Sequence, residues 1–352
     1  MIEDDIFSFR KKLINITFAV TIALTVLLTT GMVIYASSKT VVVTEEDSLD
    51  QSEEETDRAL ARWTVEVKKE DSDESRIEVT LPMADGESDT TVISHLEDNS
   101  CEIVVRNTKR SYFQSNTPKG GFKYVTGEEA SFDGSNTRIS FSLDRPCVAE
   151  WRFESGKLTV TLTPVSEIEK EIVVIDPYYG GSSNGIRVGD VCEKNINLAI
   201  AKKVKELSKD KPYYVLLTRQ EDTGMSTKDR VLFTNNAKAS YYIGITLDSN
   251  AEDLKSFGLS GSYNPDCYHN GLENADFAKT VVNSVAESTV NRVNSLDAAG
   301  EDEAVLKVLD MPSMLLYAGF LSNTDECKLL LSDDYVEKIA LGILNALDEV
   351  TE

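Results

Sequence analysis

Acidic side chains at the ends of apolar runs are the material in this chain best suited to chemistry. Ile172 to Ile175 leads straight into Asp176-Pro177, and the pair Gly180-Gly181 follows Tyr178 and Tyr179. Tyr241 to Leu247 leads into Asp248 in the same way. Open α/β sheets gather ligands at the carboxyl ends of their strands, so both aspartates mark a candidate surface. Imidazole is scarce: the two histidines are His95, in an earlier region, and His269. Asp266-Cys267-Tyr268-His269 mixes metal-ligand types. No paired spacing of the usual zinc kind accompanies it, so it reads as an ordinary loop.

The elements that must hold these aspartates alternate in type. Ile172–Ile175, Tyr213–Leu217, Tyr241–Leu247, Gly258–Tyr263 and Met314–Ala318 read as strands. Between and after them, Leu198, Ala201, Val204 and Leu207 mark one face of a helix, Phe277, Val281 and Val285 a second, and Tyr335, Ile339, Ile343 and Leu347 a closing amphipathic helix. Strands alternating with helices predict a three-layer sheet-and-helix α/β domain over 170–352.

The turn Asp176-Pro177-Tyr178-Tyr179-Gly180-Gly181 resembles the Asp-Pro-Gly-His-Gly-Gly turn of the zinc-dependent N-acetylmuramoyl-L-alanine amidases (amidase_3 type), which cut peptidoglycan. Further landmarks follow in the family's order. Cys192-Glu193-Lys194-Asn195-Ile196-Asn197-Leu198 is similar to Glu-Lys-x-x-Asn-Leu, and Leu217-Thr218-Arg219 to Leu-Thr-Arg. Asp229-Arg230-Val231 with Asn236-Ala237 is a shifted form of Arg-x-x-x-Ala-Asn. Thr246-Leu247-Asp248-Ser249-Asn250-Ala251 is similar to Ser-Ile-His-x-Asn-Ala, and Met311 to Asn323 to Pro-x-x-Leu-Val-Glu-x-Gly-Phe-Leu-Ser-Asn. By this resemblance Glu193 keeps one zinc-ligand position, Tyr179 and Asp248 replace the two histidine ligands, and Tyr317 replaces the glutamate that acts as general acid/base.

Those replacements imply lost chemistry. A catalytic zinc site needs three protein ligands and an open position. A phenol with a pKa near 10 is a poor ligand and a poor base at neutral pH. General acid–base help is worth on the order of a hundred- to ten-thousand-fold in rate. Glu193 and Asp248 can still meet as a hydrogen-bonded carboxylate pair, or as a weak site for calcium or magnesium. The resemblance therefore implies an amidase-like protein that is catalytically inactive, with no cofactor and the family's zinc ligands lost. Tyr178, Tyr179, Glu193, Asp248 and Tyr317 would line a vestigial cleft that binds a peptidoglycan fragment or an envelope protein. Two alternatives stand beside this: an active amidase with a rearranged metal site, and a structural ectodomain of an envelope complex.

Residues 13–36 carry no charge and exceed the roughly 20 residues that cross a bilayer. Arg10, Lys11 and Lys12 precede them, which puts a tail of residues 1–12 in the cytoplasm and the C-terminal domains outside, on a single-pass cell-membrane protein. The rival reading is a cleaved signal peptide ending near Ala36-Ser37-Ser38, but the run is long for one. Residues 37–60 form an acidic linker, dense in glutamate and aspartate from Glu45 to Asp57, that cannot build a core. The formal net charge of −24 excludes nucleic acid as a partner, because phosphates need lysine and arginine. Five cysteines leave at least one unpaired; Cys101 and Cys147 fall in one region and can bridge, although sequence fixes no connectivity.

Between the linker and the α/β domain, residues 61–165 carry short period-two segments: Trp63–Val67, Arg76–Leu81, Glu102–Val105, Arg138–Leu143 and Leu158–Leu162. They predict a β-sandwich. Its place ahead of an amidase-like domain resembles the wall-targeting AMIN-type domains, with an anonymous spacer as the alternative.

Overall fold

The computed structural model describes residues 62–63, 68–69, 75–81, 89–108, 110–132, 136–154, 156–265, 268–269, 272–300 and 303–351. The expected cytoplasmic tail, membrane helix and acidic linker lie outside the described residues, as do Asp266 and Cys267. Among the described residues no helix is long and apolar enough to cross a membrane.

The first module is built from strands β1 (Arg62–Trp63), β2 (Lys68–Lys69), β3 (Ser75–Thr80), β4 (Thr90–His95), β5 (Ser100–Val105), β6 (Lys119–Phe122), β7 (Val125–Phe132), β8 (Thr137–Leu143), β9 (Cys147–Glu154) and β10 (Lys157–Pro164). They form two sheets, ordered β1-β7-β8-β5-β4 and β2-β6-β3-β10-β9. Period-two burial explains the stacking: Ile77 and Val79 of β3, Ile139 and Phe141 of β8, and Leu158 and Val160 of β10 point into one shared core. A short helix α1 (Arg110–Ser115) interrupts the strands and lends Phe113 to that core. Periodicity over the flanking segments gave no sign of it, because six residues are too few for a helical pattern to stand out.

His95, at the end of β4, sets a pH dependence for this module. Its Nδ1 lies 3.0 Å from Glu97 and its Nε2 4.0 Å from Glu102. Burial disfavours the imidazolium, but the hydrogen bonds and charges of Glu102 and Glu97 outweigh it and push the pKa up to about 10. The ordinary value is about 6.5, so the folded state holds this proton more tightly. Its stabilisation is fully present below about pH 6.5 and is lost as pH rises toward 10. The thermal midpoint of His95→Asn should therefore change less than that of the parent between these limits, as read by circular dichroism.

The second module contains β11 (Ile172–Pro177), β12 (Arg187–Val188), β13 (Val191–Cys192), α2 (Glu193–Leu207), β14 (Tyr214–Leu217), α3 (Thr227–Asn236), β15 (Tyr241–Asp248), β16 (Leu259–Tyr263), β17 (Tyr268–His269), β18 (Leu272–Glu273), α4 (Asn274–Thr289), β19 (Val293–Ala298), β20 (Ser313–Phe320), α5 (Thr324–Leu330) and α6 (Asp333–Thr351). Its main sheet runs β14-β11-β15-β20-β16-β19. It is mixed: β14, β11, β15 and β20 are parallel, and β16 pairs antiparallel with β20. Residues of β11 are buried throughout, which is why it reads as an unbroken apolar run.

Helices α2, α4 and α6 cover one face of this sheet, packing Ile200, Val281 and Ile343 against Val173, Ile243 and Leu316. The buried stripe of α2 centres on Ile196, Ile200, Ala201 and Val204, and Leu198, read from sequence as a core position, is only half-buried. The helix opens at Glu193 with Asn197 below it, and these two buried polar residues fix its rotation. On the opposite face α3 supplies Phe233, and the segment before β20 supplies Leu306 and Leu309. The first module joins the same cluster through Leu96, Val148 and Val165. Asn236 donates to the Leu96 carbonyl at 2.6 Å, the Tyr214 hydroxyl donates to Glu150 at 2.9 Å, and Arg106 pairs with Glu221. Residues 62–352 thus form one compact unit.

Candidate functional site

The turn after β11 is a hub of structural bonds. Asp176 is fully buried, and its carboxylate accepts from Arg230 of α3, from Thr218 at 2.5 Å and from Tyr242 of β15. Arg219, also buried, donates to the carbonyls of Pro177 at 2.9 Å and Lys194 at 2.8 Å. Lys194 reaches back to the Gly181 carbonyl and to Asp222, both at 2.7 Å, and the Gly181 amide donates to Asp222 at 2.8 Å. Gly180 adopts φ 142°, and a Cβ there would stand 2.1 Å from the Thr223 carbonyl oxygen. Only glycine permits that approach. Packing and hydrogen bonding thus account for Asp176, Arg219 and Gly180.

Glu193, the first residue of α2, is the position that the resemblance gives as a retained ligand, and both its oxygens are hydrogen-bonded. Oε1 accepts from the Leu247 amide at 2.7 Å, from the Thr246 hydroxyl at 2.6 Å and from Asn197 at 3.4 Å. Oε2 accepts from the Ile186 amide at 2.8 Å. The side chain has no exposure. Instead of facing an open position, it ties the start of α2 to the end of β15.

Tyr179 sits beside it at φ 65°, a left-handed conformation that is uncommon for a bulky side chain. A Cβ built on Gly185 would lie 2.5 Å from Glu193 Oε2 and 2.6 Å from Tyr179 Cδ2. The tyrosine ring and the carboxylate thus both crowd the Gly185 backbone, which leaves no room there for a side chain. Tyr178 turns the other way. Its ring lies against Gly244 and under Arg230, whose guanidinium carbon is 4.7 Å from the ring centre. Burial, followed by the charge of Asp176, pushes its pKa well up.

Asp248 and Tyr317 do share a cleft. It has a volume of about 410 Å³ and is lined also by Ser260, Ser262, Asp297 and Glu303. Asp248 accepts from the Ser249 amide at 2.7 Å, and burial raises its pKa against that bond. The Tyr317 hydroxyl donates to Glu303 at 2.7 Å; burial and then this glutamate push the phenol's pKa up, away from any role as a base near neutrality. Glu303 also accepts from the Gly300 amide. Sequence reasoning missed Glu303, which lies in an acidic loop with no periodic or motif signal. The one available hint was that a buried tyrosine hydroxyl at position 317 needs a partner.

The structure therefore brings Asp248 and Tyr317 together in an open cleft, sets Glu193 and Tyr179 around Gly185, and places the ring of Tyr178 against Gly244 and Arg230. Among the described residues no group of three or more His, Cys, Asp or Glu side chains is placed to hold a metal ion. A buried, hydrogen-bonded glutamate, a phenol and a single aspartate do not fit a tetrahedral zinc site.

A mixed α/β sheet with a buried glutamate opening the helix after its first strand, and aspartates at two strand ends, is the architecture that the sequence resemblance implies. Residues 173–349 match the N-acetylmuramoyl-L-alanine amidase family, and the chain belongs to it. It is 24% identical to the uncharacterized protein YqiI of Bacillus subtilis (strain 168), over 54% of this chain and 92% of that one. It is 26% identical to the germination-specific N-acetylmuramoyl-L-alanine amidase of the same organism, over 50% of this chain and 78% of the relative. Among solved structures, the N-acetylmuramoyl-L-alanine amidase from Clostridium difficile 630 is 28% identical and covers 52% of this chain and 98% of its own, with a TM-score of 0.49.

Proposed function

We propose that this protein is a non-hydrolytic member of the amidase family, held on the outer face of the cell membrane by residues 13–36, that binds peptidoglycan fragments. The observation that carries this reading is the state of Glu193: it is fully buried and both its oxygens accept from protein donors, Oε1 from Asn197, Thr246 and Leu247 and Oε2 from Ile186. A metal that displaced any of these donors would cost roughly 1–3 kcal/mol for each buried group left unpaired. The position of the family's proton-transfer glutamate is filled by Tyr317, whose hydroxyl is spent on Glu303. Both lesions act on separate steps, so repairing one leaves the other.

The cleft of Asp248 and Tyr317 is the surface offered to the ligand. Serine hydroxyls, two aspartates and an aromatic ring suit a peptide or amino sugar carrying several hydrogen-bond donors. An envelope protein binding the same cleft is the second occupant to test.

Metal analysis of the purified full-length protein, joined to a release assay on intact sacculi, tests the reading. We expect substoichiometric zinc and no stem peptide set free, while the protein sediments with sacculi and Tyr317→Ala sediments less. Stoichiometric zinc with released peptide would make it a working amidase, and failure to sediment would point to a protein partner instead.

A further inference from the structure

We propose that the cleft between the two modules binds an anionic saccharide, at a site separate from that of Asp248 and Tyr317. This cleft has a volume of about 1050 Å³ and is walled by β9 on one side and by α2 and β14 on the other. The chain as a whole carries a formal charge of −24, yet this wall presents Arg152, Lys170, Lys202, Lys205 and Lys209 against only Glu150 and Glu206. Both glutamates are occupied: Glu206 pairs with Lys203 at 2.8 Å, and Glu150 accepts from the Tyr214 hydroxyl at 2.9 Å.

The cations divide into two groups. Lys205 donates to the Val215 carbonyl at 2.5 Å and lies 4.1 Å from the centre of the Tyr214 ring, and Lys170 donates to the Lys211 carbonyl at 2.8 Å. Arg152, Lys202 and Lys209 have no ion-pair partner among the described residues. Lys202 is exposed on α2 and Lys209 is exposed just beyond the helix's last residue, Leu207, and both line the cleft. In a strongly acidic chain, such clustering concentrates the local field on one groove.

Charge defines an anion; the neighbouring aromatic residue defines what carries it. Trp151, in the same wall, is 39% exposed. An indole beside unpaired cations offers a flat apolar face for a sugar ring and donors for its acidic substituent. An acidic peptide adding to a sheet edge fits less well, although β9 and β14 are both edge strands. The Ala149 amide already donates to Ser94 at 2.8 Å and the Tyr214 hydroxyl crosses to Glu150, so the two strands are bridged to each other. The acidic group is a carboxylate or a phosphate, since both meet lysine and arginine in the same way.

The full-length protein in detergent micelles, titrated while its tryptophan fluorescence is followed, provides the test. The probes are oligogalacturonate for carboxylate, phosphomannan oligosaccharide for phosphate, N-acetylglucosamine oligomers as the neutral control and polyglutamate as the acidic peptide. We expect at least one of the two anionic saccharides to bind, more weakly as salt rises, and the neutral oligomers to bind far less. Lys202→Glu/Lys209→Glu should weaken that binding about tenfold or more, and Trp151→Ala should remove the fluorescence change. Lys202→Arg/Lys209→Arg should retain binding, and Asp248→Ala/Tyr317→Ala should leave it unchanged, which separates this site from the one proposed above. Binding unaffected by the double charge reversal, equal binding of polyglutamate or the neutral oligomers, or no binding of either anionic saccharide would overturn the proposal. Unchanged thermal midpoints of the exposed-residue variants exclude misfolding as the cause.

Discussion

Arg230→Ala should lower the unfolding free energy by about 3–5 kcal/mol, because it removes one partner of a buried ion pair and leaves the other stranded. Asp176 has no exposure and Arg230 has 5%. Without the guanidinium, the carboxylate keeps only the hydroxyls of Thr218 and Tyr242 and must either stay charged in a low dielectric or take up a proton. Arg230 also covers the ring of Tyr178, so its truncation opens a space in the cluster below the sheet. Since domains have only about 5–15 kcal/mol in total, a loss of this size moves the urea midpoint far enough to be unmistakable. Replacing both partners, as Asp176→Leu/Arg230→Met, should be less harmful than Arg230→Ala alone, because it strands no charge. A change below about 1 kcal/mol for Arg230→Ala would show that the pair is solvated.

The second large effect is expected at Glu193, where a catalytic and a structural role predict opposite signatures. Were it a metal ligand, Glu193→Gln would weaken metal binding, and a chelator would lower the midpoint of the parent protein. In the observed arrangement the amide nitrogen of glutamine would face a donor, either the Ile186 amide or the Leu247 amide and Thr246 hydroxyl. Hydrogen bonds to a buried charge are worth about 1.5–3 kcal/mol each, so a loss of about 3 kcal/mol or more is expected with chelator present or absent. The parent should show the same melting curve in both conditions. A chelator-sensitive parent midpoint would restore Glu193 to a metal site.

Much of the second module could be read from residue order. Its central strands are uniformly apolar and its helices carry clear stripes, so period and length were enough to place them. The antiparallel pairing of β16 with β20 could not be read, because pairing direction depends on how the chain returns and leaves no mark in a strand as short as Leu259–Tyr263. For the site, the resemblance names Glu193, Asp248 and Tyr317 as positions along the chain but says nothing of their surroundings. That both Glu193 oxygens are bonded depends on the Ile186 amide seven residues before it and on the Thr246 hydroxyl and Leu247 amide of a distant strand, groups whose identity carries no signal. Tyr178 looked equivalent to Tyr179 as a neighbour in a turn, yet the two rings meet at 81° and pack into different surroundings. The reason is backbone handedness: Tyr179 alone has positive φ, and that reverses its side chain.

Leu96, Val148 and Val165 share a core with Leu216 and Phe233, so the sandwich and the α/β module have no hinge between them. Their relative orientation is set by the same packing that makes each of them stable. Melting should accordingly occur in a single step, and either half produced alone would expose a sticky apolar patch. In the intact protein, the lysine-lined cleft and the pocket at Tyr317 stand at a constant spacing, which makes the molecule a ruler: a ligand long enough to touch both can do so at only one register.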